Sequence, residues 1–294
     1  MRFVRFGSPG EERPGLMLSD GTWRAVDLTS LGVEINGAFL ADLPLAELEA
    51  ASSAGESIVD LEGLRLGPPI ARPPAIYAIG LNYHDHATET GMPAPAEPIV
   101  FAKSPNSICG PSDEVTLPRG AQKGDWEVEL GVVIGRTAFE LASPEDGLGV
   151  IAGYVAANDV SERALQMEGG GQWLPGKSFP TACPIGPWLC TPDEVSDLGS
   201  LRLQLAINGE VRQNGTTADM IFTVPEIIWR LSQYLRLEPG DLILTGTPAG
   251  VGLGFMPSIF LKDGDVMDLS ITHLGTHRST VRVPPARPKA ATNR

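Results

Sequence analysis

GDWEVELGVV, residues 124 to 133, has the pattern of a strand that carries two glutamates one residue apart. Because successive side chains of a strand point to opposite faces, Glu127 and Glu129 lie on one face. The apolar side chains of Trp126, Val128 and Leu130 lie on the other. Two like charges side by side are costly to bury unless a cation or a shared proton relieves them. The stretch therefore predicts either the solvated face of an antiparallel strand or a buried cation site.

The composition is that of an ordinary globular protein. The 294 residues are 42% hydrophobic and 20% charged, which suffices for one large domain or for one large and one small domain. The 36 acidic and 22 basic residues give a net charge of -14, which argues against nucleic-acid and anionic-membrane partners. The N-terminal stretch has no apolar signal core, and no apolar run reaches the roughly 18 residues of a membrane span. We therefore expect a cytoplasmic protein.

The cysteines and the C-terminal histidines carry little chemical signal. Cys109, Cys183 and Cys190 are odd in number and lack C-x-x-C spacing, so they predict neither a disulfide framework nor a thiolate zinc site. We expect His273 and His277 to be structural or surface groups.

Proline and glycine divide the chain into three predicted parts. Residues 1–70 predict a small α+β domain with short strands and a helix around PLAELEAASS, ended by the Pro-rich GPPIARPPA. Residues 71–285 contain many short apolar runs and few helical patterns, of which TVPEIIWRLSQYL is the best, so this part is predicted to be β-rich. Residues 286–294 are predicted to form a loose tail. The fold class is therefore mixed α+β and β-rich.

A third carboxylate follows the strand-like run in IAGYVAANDVSERALQ, residues 151 to 166. Asp159 could simply be the N-cap of the short helix that comes next. Together with Glu127 and Glu129 it completes a set of three carboxylates, which suits Mg²⁺ or Mn²⁺, since these hard cations prefer oxygen ligands. Zinc is disfavoured because no histidine or cysteine accompanies the set.

GLNYHDHATETGM, residues 80 to 92, contains two of the four histidines of the chain. In a short helix His86 and Glu89 share a face at i, i+3 and can hydrogen-bond, whereas His84 lies on a different face. A histidine held by a carboxylate is a common general base. The alternative is a solvated polar loop.

GGGQWLPGKSFPTACPIGP, residues 169 to 187, predicts a flexible loop that delivers Lys177 to a fixed place. A desolvated lysine near a metal could stabilise negative charge on a substrate oxygen. Alternatively, Lys177 is a surface group that balances excess acid.

DLILTGTPAGVGLG, residues 241 to 254, is a strand followed by a glycine-rich turn. It lacks both Gly-Lys-Ser/Thr and a following helix, so it predicts neither a phosphate cradle nor a dinucleotide site. Its backbone amides, with the hydroxyls of Thr245 and Thr247, would instead suit a carboxylate.

In order and spacing, these stretches resemble the fumarylacetoacetate hydrolase superfamily over nearly all of residues 70–285. The matching segments are GLNYHDHATE, FAKSPNSICGP, DWEVELGVVIG, GYVAANDVSERALQ, GKSFPTACPIGPWL, LILTGTPAGVG and LKDGDVMDLSITHLGTHRSTV. The resemblance implies a β-sandwich or roll catalytic domain with a small N-terminal domain, usually assembled as a homodimer. It places the metal ligands on Glu127, Glu129 and Asp159.

The resemblance also implies a dyad of His86 and Glu89 on a mobile lid helix, together with the family's lysine at Lys177. The implied substrate contacts are Arg163, Gln166 and Thr247. The implied activity is metal-dependent cleavage of the C–C bond of a 2,4-diketo acid of acylpyruvate type, possibly a 2,4-diketo-3-deoxy sugar acid, to pyruvate and a carboxylic acid. The alternatives are a decarboxylase or tautomerase of oxaloacetate-like or 2-hydroxydienoate substrates, and a keto-acid-binding protein without turnover.

Overall fold

The computed structural model describes residues 1–54 and 57–286. The strands are β1 (Arg2–Phe6), β2 (Arg13–Met17), β3 (Arg24–Asp27), β4 (Ile58–Asp60), β5 (Ile76–Gly80), β6 (Ile99–Lys103), β7 (Ile108–Cys109), β8 (Val115–Thr116), β9 (Gly124–Asp125), β10 (Val128–Ile134), β11 (Ile151–Asn158), β12 (Ser161–Glu162), β13 (Cys183–Cys190), β14 (Arg202–Ile207), β15 (Glu210–Thr216), β16 (Leu242–Leu244), β17 (Val266–Ile271) and β18 (Gly275–Arg282). The α-helices are α1 (Gly37–Ala41), α2 (Leu45–Ala54), α3 (His84–Thr90), α4 (Arg163–Met167), α5 (Leu174–Lys177) and α6 (Val224–Ser232).

One large sheet runs through the whole molecule in the order β4-β3-β2-β1-β13-β11-β10-β16-β5-β6, and β7 also pairs with β13. The N-terminal strands extend this sheet, since β1 pairs antiparallel with β13 through Arg2 opposite Cys190 and Phe3 opposite Leu189. Strands from residues 1–70 and 71–285 thus share one sheet. The division of the chain at residue 70 stays a prediction.

A second sheet, in the order β15-β14-β17-β18-β8, packs against the first. Val128 and Leu130 of β10 share a hydrophobic core with Leu205 of β14 and Leu269 of β17. Val133 of β10 lies in a different core, on the opposite face of the large sheet. Strand β10 is therefore buried on both faces, and Glu127, just before it, and Glu129, within it, are buried carboxylates and not surface groups.

The predicted fold class, mixed and β-rich with few helices, is confirmed. The helix predicted in TVPEIIWRLSQYL is α6, which begins after Thr223 with a capping box to Glu226 and a proline in its first turn. Strand β13 was missed because Pro184 and Pro187 interrupt its pattern.

The cysteines, the helices and the C-terminal tail were the subject of three further predictions. Cys109, Cys183 and Cys190 are all buried thiols outside any disulfide. In the described part of the chain no helix has the length and apolarity that crossing a lipid bilayer requires. The tail predicted at 286–294 lies, from residue 287 onward, outside the described residues.

His277 on β18 is a buried structural group whose Nε2 lies 2.8 Å from the carbonyl oxygen of Gly186. Burial lowers the pKa of His277 from 6.5 to about 4. In the unfolded chain, His277 therefore takes up a proton as the pH falls below the ordinary pKa of 6.5. In the folded protein, it does so only as the pH approaches about 4. The free energy of unfolding consequently falls with pH in that window, by about 2 kcal/mol between about pH 7 and pH 5.

We expect His277→Gln to lose this share of the pH dependence and His84→Gln, at an exposed position, to keep it. Urea unfolding of the wild type and both variants at the two pH values measures the difference. The same pH dependence in His277→Gln as in the wild type would contradict the assignment.

Candidate active site

Three buried carboxylates meet where β10 and β11 run side by side. Val128 pairs with Asn158, and the amide of Asp159 donates to the carbonyl oxygen of Glu127 at 2.9 Å. Oxygen atoms of Glu127, Glu129 and Asp159 all lie within 4.8 Å of one another. The solvated-face alternative for the glutamates is therefore wrong.

Asp159 does not cap the helix that follows it. The N-cap of α4 is Glu162, whose side chain accepts from the amide of Leu165 at 2.8 Å. The N-cap alternative for Asp159 is therefore wrong as well. The Asp159 carboxylate is left to interact with the other two acids and with nearby cations.

Buried cations surround the carboxylates. Lys177 Nζ donates to Glu127 Oε2 at 2.5 Å and to Asp159 Oδ2 at 2.7 Å, and Arg163 Nη2 donates to Glu127 Oε1 at 2.6 Å. Lys177 is 1% exposed, so the surface-lysine alternative is wrong. Lys103, at the end of β6, donates to the other oxygen of Asp159.

The charges of this cluster set its protonation. Burial alone would raise the pKa of Glu127, but Lys177 and Arg163 outweigh it and the pKa is about 2. Burial, and then the charges of Asp159 and Glu127, raise the pKa of Glu129 well above its ordinary value. Burial would lower the pKa of Lys177, but the same two carboxylates raise it, so Lys177 is cationic at neutral pH. The charged form of Glu129 is thus disfavoured by its burial and by the two neighbouring carboxylates.

The donor set fits a hard divalent cation. It consists of carboxylate oxygens from Glu129 in β10, Glu127 just before β10 and Asp159 just after β11, and such ligands suit Mg²⁺ or Mn²⁺. One oxygen of Glu129 accepts from the amide of Gly246 at 2.7 Å, which fixes the carboxyl group in place. A cation beside Glu129 would relieve the repulsion that raises its pKa.

Arg163 and Gln166, predicted as substrate contacts, lie on one turn of α4. Arg163 Nε donates to Asp125 Oδ2 at 2.8 Å, and Arg163 Nη1 donates to Gln166 Oε1 at 2.9 Å. Both residues are buried, and both line the cleft described below. Asp125, which the sequence analysis missed, is fully buried and holds the guanidinium from behind.

The predicted dyad forms on α3. His86 Nδ1 lies 3.0 Å from Glu89 Oε2, and His86 is 8% exposed whereas His84 is exposed. The carboxylate partner assigns the proton to Nδ1, so Nε2 carries the lone pair. The solvated-loop alternative is therefore wrong for His86.

The two threonines of the glycine-rich segment contact backbone. Thr245 is fully buried and donates to the carbonyl oxygen of Leu130 at 2.9 Å. Thr247 donates to the carbonyl oxygen of Val128 at 2.9 Å and accepts from Gln213 Nε2 at 2.7 Å. Of the two, only Thr247 borders the cleft.

Most of these side chains line one cleft. Its lining residues are Ile79, Gly80, Leu81, His86, Thr90, Met92, Phe101, Glu127, Glu129, Arg163, Gln166, Met167, Trp173, Lys177, Thr247, Val251 and Leu253. The charged residues form a buried floor, whereas Met92 and Met167 are about half exposed at the mouth. Trp173 packs edge-on against Phe101 with ring centroids 5.1 Å apart. The cleft is thus charged at its floor and apolar along its wall.

The fold and the site define a class of β-rich proteins that carry a cluster of three buried carboxylates, two of which line a cleft. The family model described as fumarylacetoacetate (FAA) hydrolase C-terminal matches residues 75–282. The chain belongs to this family.

Three similar proteins illustrate the relationship. A 2,4-didehydro-3-deoxy-L-rhamnonate hydrolase from a Sphingomonas species is 47% identical over 290 residues, covering 96% of each chain. The solved structure of a maleylpyruvate hydrolase from a Sphingobium species, in complex with manganese(II) and pyruvate, has a TM-score of 0.80 and 29% identity, covering 97% of this chain and 100% of that one. A 2-hydroxyhepta-2,4-diene-1,7-dioate isomerase from Mycobacterium marinum has a TM-score of 0.75 and 31% identity, covering 96% and 98%.

Proposed function

We propose that this protein is a divalent-metal-dependent hydrolase that cleaves the C–C bond of an acylpyruvate to pyruvate and a carboxylic acid. The observation that carries the proposal is that members of two groups line the same cleft. Glu127 and Glu129, which form a buried cluster with Asp159, line it, and so does His86, which is hydrogen-bonded to Glu89.

Glu127, Glu129 and Asp159 would hold Mg²⁺ or Mn²⁺, and a similar structure that contains manganese and pyruvate supports this assignment. The bound cation would act as a Lewis acid toward the oxygens of a 2-keto acid. Arg163 and Lys177 would keep the carboxylates oriented, since each already donates to Glu127.

The dyad would supply the base. His86 Nε2 takes a proton from water, and the water oxygen bonds to the C4 carbonyl carbon of the substrate. Glu89 stabilises the imidazolium that forms, and Lys177 supplies positive charge for the oxygen on C4. The C3–C4 bond then breaks with its electron pair going to C3, which takes up the proton from His86. One water is consumed, and one carboxylic acid and one pyruvate are released.

The apolar wall would receive the acyl group of the substrate. Phe101, Trp173 and Leu253 line the cleft, whereas the cations that line it, Arg163 and Lys177, already pair with protein carboxylates. An uncharged acyl group is therefore favoured over one that ends in a carboxylate. The similarity to a 2,4-didehydro-3-deoxy-L-rhamnonate hydrolase supports an uncharged, hydroxylated acyl group of the sugar-acid type.

A second candidate is an isomerase or decarboxylase that uses the same metal site, and the similarity to a 2-hydroxyhepta-2,4-diene-1,7-dioate isomerase favours it. Such reactions need no activated water. The intact pair of His86 and Glu89 favours hydrolysis over this candidate.

The test compares a panel of substrates in Mg²⁺ or Mn²⁺: a 2,4-diketo-3-deoxy sugar acid, crotonylpyruvate, fumarylpyruvate and oxaloacetate. Crotonyl and fumaryl groups differ only in a terminal methyl or carboxylate, so they form a matched pair. We expect pyruvate from the diketo acids and a kcat/KM about tenfold or more higher for crotonylpyruvate than for fumarylpyruvate. Carbon dioxide release from oxaloacetate as the only turnover would favour the second candidate.

We propose homodimerisation from the family resemblance, and a reducing, cytoplasmic location from the three cysteines outside any disulfide. The molar mass measured by light scattering tests the first, since the chain alone has a mass of 31.2 kDa.

A further inference from the structure

Backbone amides of the glycine-rich segment after β16 donate hydrogen bonds to three carboxylates of the chain. Gly246 donates to Glu129 at 2.7 Å. Gly250 donates to Glu89 Oε1 at 2.9 Å. Gly252 and Leu253 donate to the two oxygens of Asp125 at 2.6 and 3.0 Å. The carboxylates that this segment binds are thus the chain's own.

The segment therefore joins the dyad to the floor. Glu89 is the dyad carboxylate, and its second oxygen contacts His86. Asp125 holds Arg163, which in turn donates to Glu127 at the floor. Amides only two residues apart, at 250 and 252, thus hold one carboxylate that contacts His86 and one that contacts Arg163.

The glycines at 250 and 254 are required for different reasons. Gly250 has φ +103°, and a Cβ there would lie 2.0 Å from the carbonyl oxygen of Arg212, so a side chain at 250 would disturb the backbone. Gly254 has no left-handed φ, and the three atoms nearest to its Cβ would belong to the Glu89 side chain, with Cδ at 2.3 Å. A methyl group at 254 would therefore displace one flexible side chain and leave the fold in place.

We propose that the turn 250–254 positions the dyad. The Gly250 amide donates to the Glu89 carboxylate, and the lack of a side chain at Gly254 leaves room for that carboxylate. Held in this position, Glu89 orients His86. This role rests on the proposed function for its catalytic consequence, and on the contacts alone for its structural part. In the proposed mechanism Gly254 contacts neither substrate nor metal, so it affects the reaction only through Glu89.

The kinetic test replaces Gly254 by alanine. We expect Gly254→Ala to lower kcat for diketo-acid cleavage about 100-fold with KM changed less than about threefold, close to the effect of Glu89→Gln. In a Glu89→Ala background, where the displaced side chain is absent, Gly254→Ala should change kcat less than about threefold. Gly149→Ala, at an exposed glycine with open space around its Cβ, is the matched control and should resemble the wild type.

Two kinetic outcomes would overturn the proposal. Gly254→Ala could retain wild-type kcat, which would mean that catalysis does not require the position of the Glu89 side chain that Gly254 allows. It could also be as damaging in the Glu89→Ala background as in the wild type, which would mean that the glycine serves the fold and not the dyad. Thermal unfolding of each variant separates loss of folding from loss of positioning.

A spectroscopic test does not depend on the substrate. Long-range ¹H–¹⁵N spectra of the four histidines report which ring nitrogen carries the proton. We expect the Nδ1–H form of His86 in the wild type and in Gly149→Ala, and a mixture of tautomers in both Gly254→Ala and Glu89→Gln. An unchanged His86 tautomer in Gly254→Ala would overturn the positioning role even if the wild type cleaves diketo acids. A changed tautomer in a protein that cleaves no diketo acid would reject the proposed function and keep the positioning role.

Discussion

Replacing Glu127 by alanine is expected to lower kcat/KM for acylpyruvate cleavage by about 1,000-fold or more. Glu127 is one of three proposed metal ligands, and its two oxygens also hold Lys177 and Arg163 at 2.5 and 2.6 Å. Loss of the carboxylate removes a ligand and leaves two buried cations without this partner, and Lewis-acid stabilisation alone accounts for several kcal/mol of barrier. Steady-state kinetics, with Mn²⁺ binding followed by electron paramagnetic resonance, measure both effects.

Two further variants make this result interpretable. Glu127→Gln keeps the shape of the side chain, so it tests the charge where the alanine variant could lose stability. Glu168→Gln, at an exposed acid paired with Lys123, should leave turnover and Mn²⁺ binding unchanged. Full activity of the wild type after exhaustive chelation, or strong Mn²⁺ binding by Glu127→Gln together with normal kcat, would contradict a metal site at Glu127.

Replacing His86 by alanine is expected to lower diketo-acid hydrolysis by about 100-fold to 10,000-fold, the range for loss of a general base. Any decarboxylation of oxaloacetate by the wild type should persist within about threefold, because it requires no activated water. His86 lines the cleft and pairs with Glu89, whereas His84 on the same helix is exposed. Parallel assays of both reactions in His86→Ala and in the control His84→Ala measure the difference.

The hydrolysis and decarboxylation rates of His86→Ala together distinguish a general base from other roles of His86. Equal loss of hydrolysis and decarboxylation in His86→Ala would indicate a residue that binds substrate or maintains the fold. Retained hydrolysis would remove His86 from the reaction.

Local periodicity predicted the parts of the site that lie close together in the sequence. The period of two in a strand places Glu127 and Glu129 on one face, and the i, i+3 spacing in a helix joins His86 to Glu89. The helix predicted in TVPEIIWRLSQYL, which is α6, follows from the same local periodicity. Each of these features depends on neighbours within about one helical turn, so the chain segment itself specifies it.

Features that depend on distant contacts were not predictable in this way. Lys103 reaches Asp159 across 56 positions, and its segment FAKSPNS shows only a lysine at the end of an apolar run. The amides of Gly250 and Gly252 carry no side-chain signal, so their carboxylate partners emerge only from the folded backbone. The pairing of β1 with β13, which unites the N-terminal strands with the rest of the sheet, was hidden for the same reason.

Hydrolysis of the C3–C4 bond is tested directly by NMR of acetylpyruvate labelled with ¹³C at C4, in the presence of the wild-type protein and Mg²⁺ or Mn²⁺. Hydrolysis of the C3–C4 bond transfers the label to the carboxyl carbon of acetate and releases an equal amount of unlabelled pyruvate. That is the expected result. A label that stays in a product retaining the C3–C4 bond, formed by tautomerisation or decarboxylation, would contradict the hydrolase assignment.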